Sequence, residues 1–326
     1  MTLLKEEEPQ LKWIQEYGNI IKYYGIFNEP TLFVADTRII QEITLNKVYD
    51  FIKPPKMLAD AIIIAGKGIV LAEGEDHKRQ RKMMNPAFSH NNVKEMIPTF
   101  IRVAFTLKDL IEDKVNLGES EINLTPYISK ATLDVIGLVG FNYEFNSLTS
   151  SNELAEAYDS LLNEKMTDEE LKYQIMTFLI AGHETTSVST CWALYLLAQH
   201  PREQDLLREE LVKAFPDKSK FNPTFDEINS LEYLNCIVKE TLRIHSPAPF
   251  TTRTNLNDET FGEYFIPKDT TIMVAISALH KSPEIWGSTA KDFDPQRCLI
   301  NLRLKICHKS FKINHVLIEV FHNTSI

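Results

Sequence analysis

Glycine is scarce in this chain, with eleven in 326 residues, and fifteen prolines accompany it. That excludes collagen-like and low-complexity architectures and leaves helix formers to dominate. Cysteine is scarcer still. The four thiols, Cys191, Cys236, Cys298 and Cys307, are too few and too scattered for a disulfide framework. A reducing compartment with buried thiols is the plain expectation. Basic residues are outnumbered, 35 Lys and Arg against 45 Asp and Glu, for a net charge of −10. Nucleic acid is therefore not an expected partner, because binding it requires a basic face that displaces counterions. Long hydrophobic runs are missing too. The best, residues 61–71, is broken by Lys67 and is too short to cross a bilayer. The first residues turn acidic before any apolar core develops, unlike a secretory signal.

What is present is a globular balance, 44% hydrophobic and 25% charged, patterned mostly at helical period. A helix from about residue 11 leads into two short runs, Ile20–Tyr24 and Thr31–Val34, rich in β-branched and aromatic residues. Gly25 and Asn28-Glu29-Pro30 punctuate them, which is a hairpin pattern. Asp36 fits an N-cap for a helix from Thr37 to about Lys47. Pro54-Pro55 reads as a break and Gly66-Lys67-Gly68 as a loop. A basic helix, His77 to about Met84, ends near Pro86, and helices follow over 93–117 and 125–140. Residues 147–166 form a polar bridge. Thr167 and Glu170 have the spacing of a capping box for the clearest helix, Leu171 to His200, apolar on most faces and so expected to run through the middle of a domain. A charged helix over 202–213, another over 224–245, and strand-like alternation over 260–280 complete the pattern. Pro283 and Pro295 mark loops.

Four motifs carry chemistry. Ala181-Gly182-His183-Glu184-Thr185 sits in mid-helix, where an interior Gly costs about 1 kcal/mol relative to Ala and needs a reason. One reason is a flat ligand approaching the backbone, with Glu184 and Thr185 as an acid–alcohol pair able to relay protons. The other is a small-residue helix crossing with the Thr hydroxyl bonded back to its own turn. A zinc-protease reading fails, since Ser187 stands where the second His must be. Glu240 and Arg243 form an i,i+3 pair among Leu234, Ile237, Val238, Leu242 and Ile244; a charge in that setting must be paired. Phe293-Asp294-Pro295-Gln296-Arg297 is a proline loop ending in Arg. His77-Lys78-Arg79-Gln80-Arg81-Lys82 is either a solvated basic face or an anion site.

Taken together and in this order, the motifs resemble those of the cytochrome P450 family of haem-thiolate monooxygenases, in its eukaryotic and especially fungal form. The likeness covers residues 11–146 and 167–297. The resemblance implies a mainly α fold with small β-sheets and a haem cofactor. It also implies insertion of one oxygen atom of dioxygen into a small apolar organic substrate, with electrons from NADPH through NADPH–cytochrome P450 reductase. By the same resemblance, Ala181, Gly182, Glu184 and Thr185 match the central-helix motif beside the haem, where the acid and alcohol feed protons. Arg81, with His77 where Trp is commoner, and Arg253 match residues that hold haem propionates. Glu240, Arg243 and Arg297 match a buried structural Glu–Arg–Arg cluster. The family points to the endoplasmic reticulum membrane, while no anchor is read in this sequence.

The sequence also departs from that pattern. The family's Phe-x-x-Gly-x-Arg-x-Cys-x-Gly loop, whose thiolate binds iron and favours O–O cleavage, has no match after Arg297. Cys298 follows Arg297 directly, and Cys307 has no neighbouring Gly or Phe. Neither they nor His308, His315 and His322 show zinc spacing, so no metal ligand is assigned. The bridge of twenty-odd residues replaces several helices that roof the family's substrate pocket, which should uncover apolar surface on the central helix. The expected organisation is one incomplete domain over 1–297 and an unrelated tail over 298–326. It has an N-terminal part over 1–146, the shortened bridge over 147–166 and core helices over 167–297. The alternative reading is a catalytically inactive fragment without thiolate-ligated haem.

Overall fold

The computed structural model describes residues 9–25, 28–149 and 168–299. The sequence's hairpin forms the edge of a five-stranded sheet. Helix α1 (Pro9–Tyr17) leads into β1 (Ile20–Tyr24) and β2 (Pro30–Val34), paired antiparallel with Ile20 opposite Val34 and Tyr24 opposite Pro30. Asp36 caps α2 (Thr37–Gln41), accepting from the Arg38 and Ile39 amides at 2.9 and 3.4 Å. The helix expected to reach Lys47 instead widens into a π-helical turn over Glu42–Asn46. Strand β3 (Phe51–Ile52) then joins the sheet. Pro54-Pro55, read as a break, opens α3 (Pro55–Ala65); proline suits a first helical position, where no amide partner is needed.

The basic helix is α4 (Gly74–Met84), with Glu75 and Asp76 in its first turn and Arg81 and Lys82 in its last, matched to the helix dipole. Helices α5 (His90–Asn116) and α6 (Leu124–Phe141) pack against each other. Past the bridge come α7 (Asp168–Leu179), a π-helical turn over Ile180–Glu184, and α8 (Thr185–Gln199). These three stand where one helix was expected. The expected capping Thr167 lies outside the described residues. The charged helix is α9 (Pro201–Ala214).

The helix expected over 224–245 is two. Short α10 (Phe225–Asn229) has its own capping box between Thr224 and Glu227, and α11 (Glu232–Ile244) follows after Leu231. Strand β4 (Thr251–Asn255), the hairpin of β5 (Glu259–Phe261) and β6 (Tyr264–Ile266), and β7 (Thr271–Val274) supply the alternating stretch. Its last part, Ile276–His280, is a helix, α12, rather than strand, and Pro283 opens a further turn, α13 (Pro283–Trp286).

The sheet order is β1-β2-β7-β4-β3, with β2 and β7 parallel and the other pairs antiparallel. Phe33, Val34, Ile272 and Val274 of the central strands are fully buried beneath Ile40, Ile43 and Ile276. A second cluster joins Leu196 and Leu197 of α8 to Tyr233, Ile237 and Ile244 of α11 and to Phe293. Burying each such side chain contributes about 1.5–3 kcal/mol.

The central helix is not enclosed on most sides. It packs on α6, α9 and α11, while Ile180, Val188, Leu194 and Tyr195 each expose 41–44% of their surface. An all-round apolar pattern predicts a sheathed helix only when neighbours exist on every side.

Candidate functional site

Three groups of candidate residues fall in three places. The first is a cationic cradle between the sheet and α4. Arg253, on β4 opposite Ile272 of β7, is only 9% exposed. Its Nη1 donates to Thr251 Oγ1 at 2.8 Å and to the Thr252 carbonyl at 2.7 Å, neither of them a carboxylate. Burial holds its pKa below the usual arginine value, and only Glu73 works the other way. Glu73 is already engaged by Lys53, whose Nζ lies 2.9 Å away and also donates to the Ala72 carbonyl.

His77 is half-buried on α4, with Nδ1 3.2 Å from the Tyr49 hydroxyl. Its pKa is lowered first by burial and then by the charges of Lys53, Arg81 and Arg253, so it is neutral at pH 7. Thus the structure brings His77, Arg81 and Arg253 within one electrostatic neighbourhood. It adds Lys53, which no motif pointed to. Lys53 precedes a double proline and comes into place only because β3 pairs with β4. Among the described residues, Glu73 is the carboxylate that acts on both Arg253 and His77, and Lys53 already engages it. Arg253 could take a further anion there, and carboxylates suit guanidinium and imidazole donors.

The cradle's helix is tied to the central helix by buried amides. Gln80 Nε2 donates to the Lys67 carbonyl at 3.2 Å, and Gln174 Nε2 donates to Gln80 Oε1 at 2.9 Å. Gln174 Oε1 accepts from the Ile69 amide at 2.9 Å. Glycines 66 and 68 let this loop seat on α7: a Cβ at Gly68 would lie 2.1 Å from Thr177 Oγ1 and 2.6 Å from the Tyr173 carbonyl oxygen. The glycines of the loop were legible in the sequence, but the surface they meet was not.

The second group lies on the π-helical turn. A Cβ on Gly182 would come to 3.0 Å from Ile136 Cδ1 on α6, so its close neighbour is a helix. Thr185 donates its hydroxyl to the Ala181 carbonyl at 2.5 Å. Of the two alternatives left open by the sequence, the helix crossing with a back-bonded Thr describes these contacts. Glu184 and Thr185 are exposed, and His183 turns away to meet Ser129 Oγ at 2.9 Å. The wide turn itself was not foreseen. π-Bulges are frequent at functional sites, and they re-aim the side chains that an α-helical i,i+3 spacing would align.

The third group is a buried ion cluster. Arg243 grips Glu240 with two bonds, Nε to Oε2 at 2.8 Å and Nη2 to Oε1 at 2.7 Å. Arg243 also donates to the carbonyls of His280, Ala290 and Asp292 and lies over the Trp286 ring, 5.0 Å from its centre. Arg297 Nε stands 3.5 Å from Glu240 Oε1, and its Nη atoms bond the Trp286 and Thr289 carbonyls. The Asp294 amide completes the set by donating to Glu240 Oε1 at 3.1 Å. Sequence spacing found Glu240 and Arg243. The carbonyl acceptors, fifty residues on, come from tertiary structure alone. His280, 6% exposed beside Arg243, has its pKa pushed down to about 4, first by burial and then by that charge.

No group of three or more His, Cys, Asp and Glu is placed to hold a metal ion among the described residues. Cys307, His308, His315 and His322 lie outside them. Among the described residues, no helix is long and apolar enough to cross a membrane.

A mainly helical protein with a small mixed sheet, a π-bulged central helix between a cation cradle and a buried ion lock defines a narrow class. The family model for cytochrome P450 matches the chain over residues 8–164 and 154–311, nearly all of its length, and the chain belongs to that family. The two stretches meet inside the polar bridge, and the second runs past Arg297.

Several similar proteins are fungal. Cytochrome P450 monooxygenase 205 of Postia placenta is 29% identical over 390 residues, covering 87% of this chain and 71% of its own. Cytochrome P450 monooxygenase 128 of the same fungus is 28% identical, covering 88% and 71%. Cytochrome P450 monooxygenase sphH of Aspergillus fumigatus is 28% identical, covering 88% and 68%. The alignment of 390 residues is longer than this 326-residue chain, so these relatives carry segments that it lacks.

Proposed function

We propose that this chain binds haem at the cation cradle and serves as a monooxygenase acting on a small apolar organic compound. Electrons would come from NADPH through its reductase. The observation that carries this reading is Arg253, a buried guanidinium that bonds no carboxylate among the described residues, grouped with Arg81, His77 and Lys53. Two haem propionates fit that donor set. When bound, haem supplies the iron at which dioxygen is activated.

The chain's own residues would do the rest. Arg253, Arg81 and His77 hold and orient the propionates, and neutral His77 donates without adding charge. Half-buried Ala181 would keep the central helix slim on its cofactor side, while Gly182 lets that helix close on Ile136 of α6. Glu184 takes protons from solvent, to which it is open, and passes them to the Thr185 hydroxyl. To take part, that hydroxyl must release the Ala181 carbonyl by rotating about χ1, exchanging one hydrogen bond for another. Glu240, Arg243 and Arg297 hold the loop after α13 in register with α11.

A specific observation supports a second reading. No Phe-x-x-Gly-x-Arg-x-Cys-x-Gly sequence occurs within residues 298–326. In that reading the chain is a catalytically inactive fragment without thiolate-ligated haem. The carbon monoxide difference spectrum of the purified, haem-reconstituted and reduced chain separates the two. A red-shifted Soret band means that Cys298 or Cys307 reaches the iron. An unshifted band, or no haem uptake, means a chain without thiolate-ligated haem and without monooxygenase activity.

A further inference from the structure

Cys236 and Cys298 are brought together by the ion lock. Cys236 lies one helical turn before Glu240 on α11 and is fully buried. Arg297 Nε stands 3.5 Å from Glu240 Oε1, and Cys298 is the next residue along the chain. Phe293 and Leu299 on either side of that turn pack into the cluster that contains Ile237. Each thiol perturbs the titration of the other.

The pair is asymmetric in two ways that matter for reactivity. Cys298 is partly exposed, whereas Cys236 is sealed. The interaction between them lowers the Cys298 pKa and raises that of Cys236. Lys239 and Arg243 also favour the Cys298 thiolate, against the cost of burial. The exposed member is therefore the nucleophile and the buried member stands ready behind it.

We propose that Cys236 and Cys298 form a peroxide-responsive dithiol, whose oxidation staples the proline-Arg loop to α11. The Cys298 thiolate attacks one oxygen of hydrogen peroxide, the O–O bond breaks, and hydroxide leaves, giving a sulfenic acid. The Cys236 sulfur then attacks the Cys298 sulfur, a disulfide bond forms, and the hydroxyl leaves with the Cys236 proton as water. Two thiols lose two electrons and two protons in all, and one peroxide becomes two waters. The bond would close a loop of about sixty residues that already meets itself through Glu240 and Arg297, so little native rearrangement is needed.

The test uses the full chain. Reduced protein is treated with hydrogen peroxide, quenched, alkylated after denaturation, digested without reductant and read by mass spectrometry. The expected product is one linked peptide pair holding Cys236 and Cys298, lighter by two hydrogens and released by dithiothreitol. Both residues should lose alkylation in parallel, and C298S should abolish the linked pair while Cys236 stays alkylatable. Because the linked peptide is read in the natural chain, a poorly folded variant does not decide the result. Linkage of either residue to Cys191 or Cys307 would overturn the proposal, as would Cys298 passing to sulfinic acid with Cys236 still free.

Discussion

The carboxylate of Glu240 and the guanidinium of Arg243 meet edge to edge through two hydrogen bonds, with both side chains only 4% exposed. The pair is closed on every side: three backbone carbonyls take the other Arg243 hydrogens, and the Asp294 amide takes a remaining lone pair of Glu240. Leaving either charge alone strands the other out of water. Glu240→Ala should destabilise the chain by about 3–5 kcal/mol, read as a fall in the urea midpoint. Arg243→Lys should cost nearly as much, since an ammonium cannot reproduce the planar fork.

His280 makes stability depend on pH. Its folded pKa, about 4, lies below the ordinary value of 6.5, so the folded state prefers the neutral ring. Its contribution is complete above pH 6.5 and is lost as the pH falls toward 4. The linkage amounts to about 2 kcal/mol between pH 7 and 5. Urea denaturation of the natural chain and of His280→Gln at both values should show the extra loss only where the histidine is present.

Two glycines one turn apart on α6 should respond oppositely to the same change. A Cβ at Gly137 would lie 2.3 Å from the Phe145 ring and 2.8 Å from the Tyr143 carbonyl oxygen, and backbone does not yield cheaply. Gly137→Ala should therefore destabilise by about 1–3 kcal/mol. At Gly140 the nearest atom is Ile136 Cδ1 at 3.5 Å, an ordinary contact, and alanine should gain the helix up to about 1 kcal/mol. Thermal midpoints moving in opposite directions would satisfy both statements.

Haem uptake should depend on Arg253 more than on any exposed cation. Arg253→Gln keeps the bulk, loses the charge, and should weaken haem binding about tenfold, equivalent to about 1.4 kcal/mol. Lys22→Gln, on the outer strand β1, should leave uptake unchanged. Absorbance titration with haem reads both, and equal behaviour of the two variants would take the cradle out of the proposed function.

Local chemistry was enough to read most elements. β-Branched residues around Asn28-Glu29-Pro30 wrote the hairpin, Asp36 wrote a cap, and the charge gradient along α4 wrote a helix. These succeed because hairpin and cap bonds close within a few residues. The readings that failed were of a different kind. Pro55 and Pro283 read as interruptions in the sequence although proline equally opens a helix, and period alone does not separate α10 from α11. The motif residues were legible as candidates, yet Lys53, Gln174 and the carbonyls of His280, Ala290 and Asp292 carry no signal in their own neighbourhoods.

By itself, the sequence determined the mainly helical class, the family, and the pairing of Glu240 with Arg243, because one helical turn places i and i+3 together. Only the tertiary structure decided what each motif faces: Gly182 meets Ile136, Thr185 bonds its own turn, and Arg253 is sealed beside Lys53 and His77. Burial and electrostatic excess are properties of groups brought together from distant parts of the chain. No spacing rule contains them until the sheet has paired β3 with β4 and α11 has met the loop that ends at Arg297.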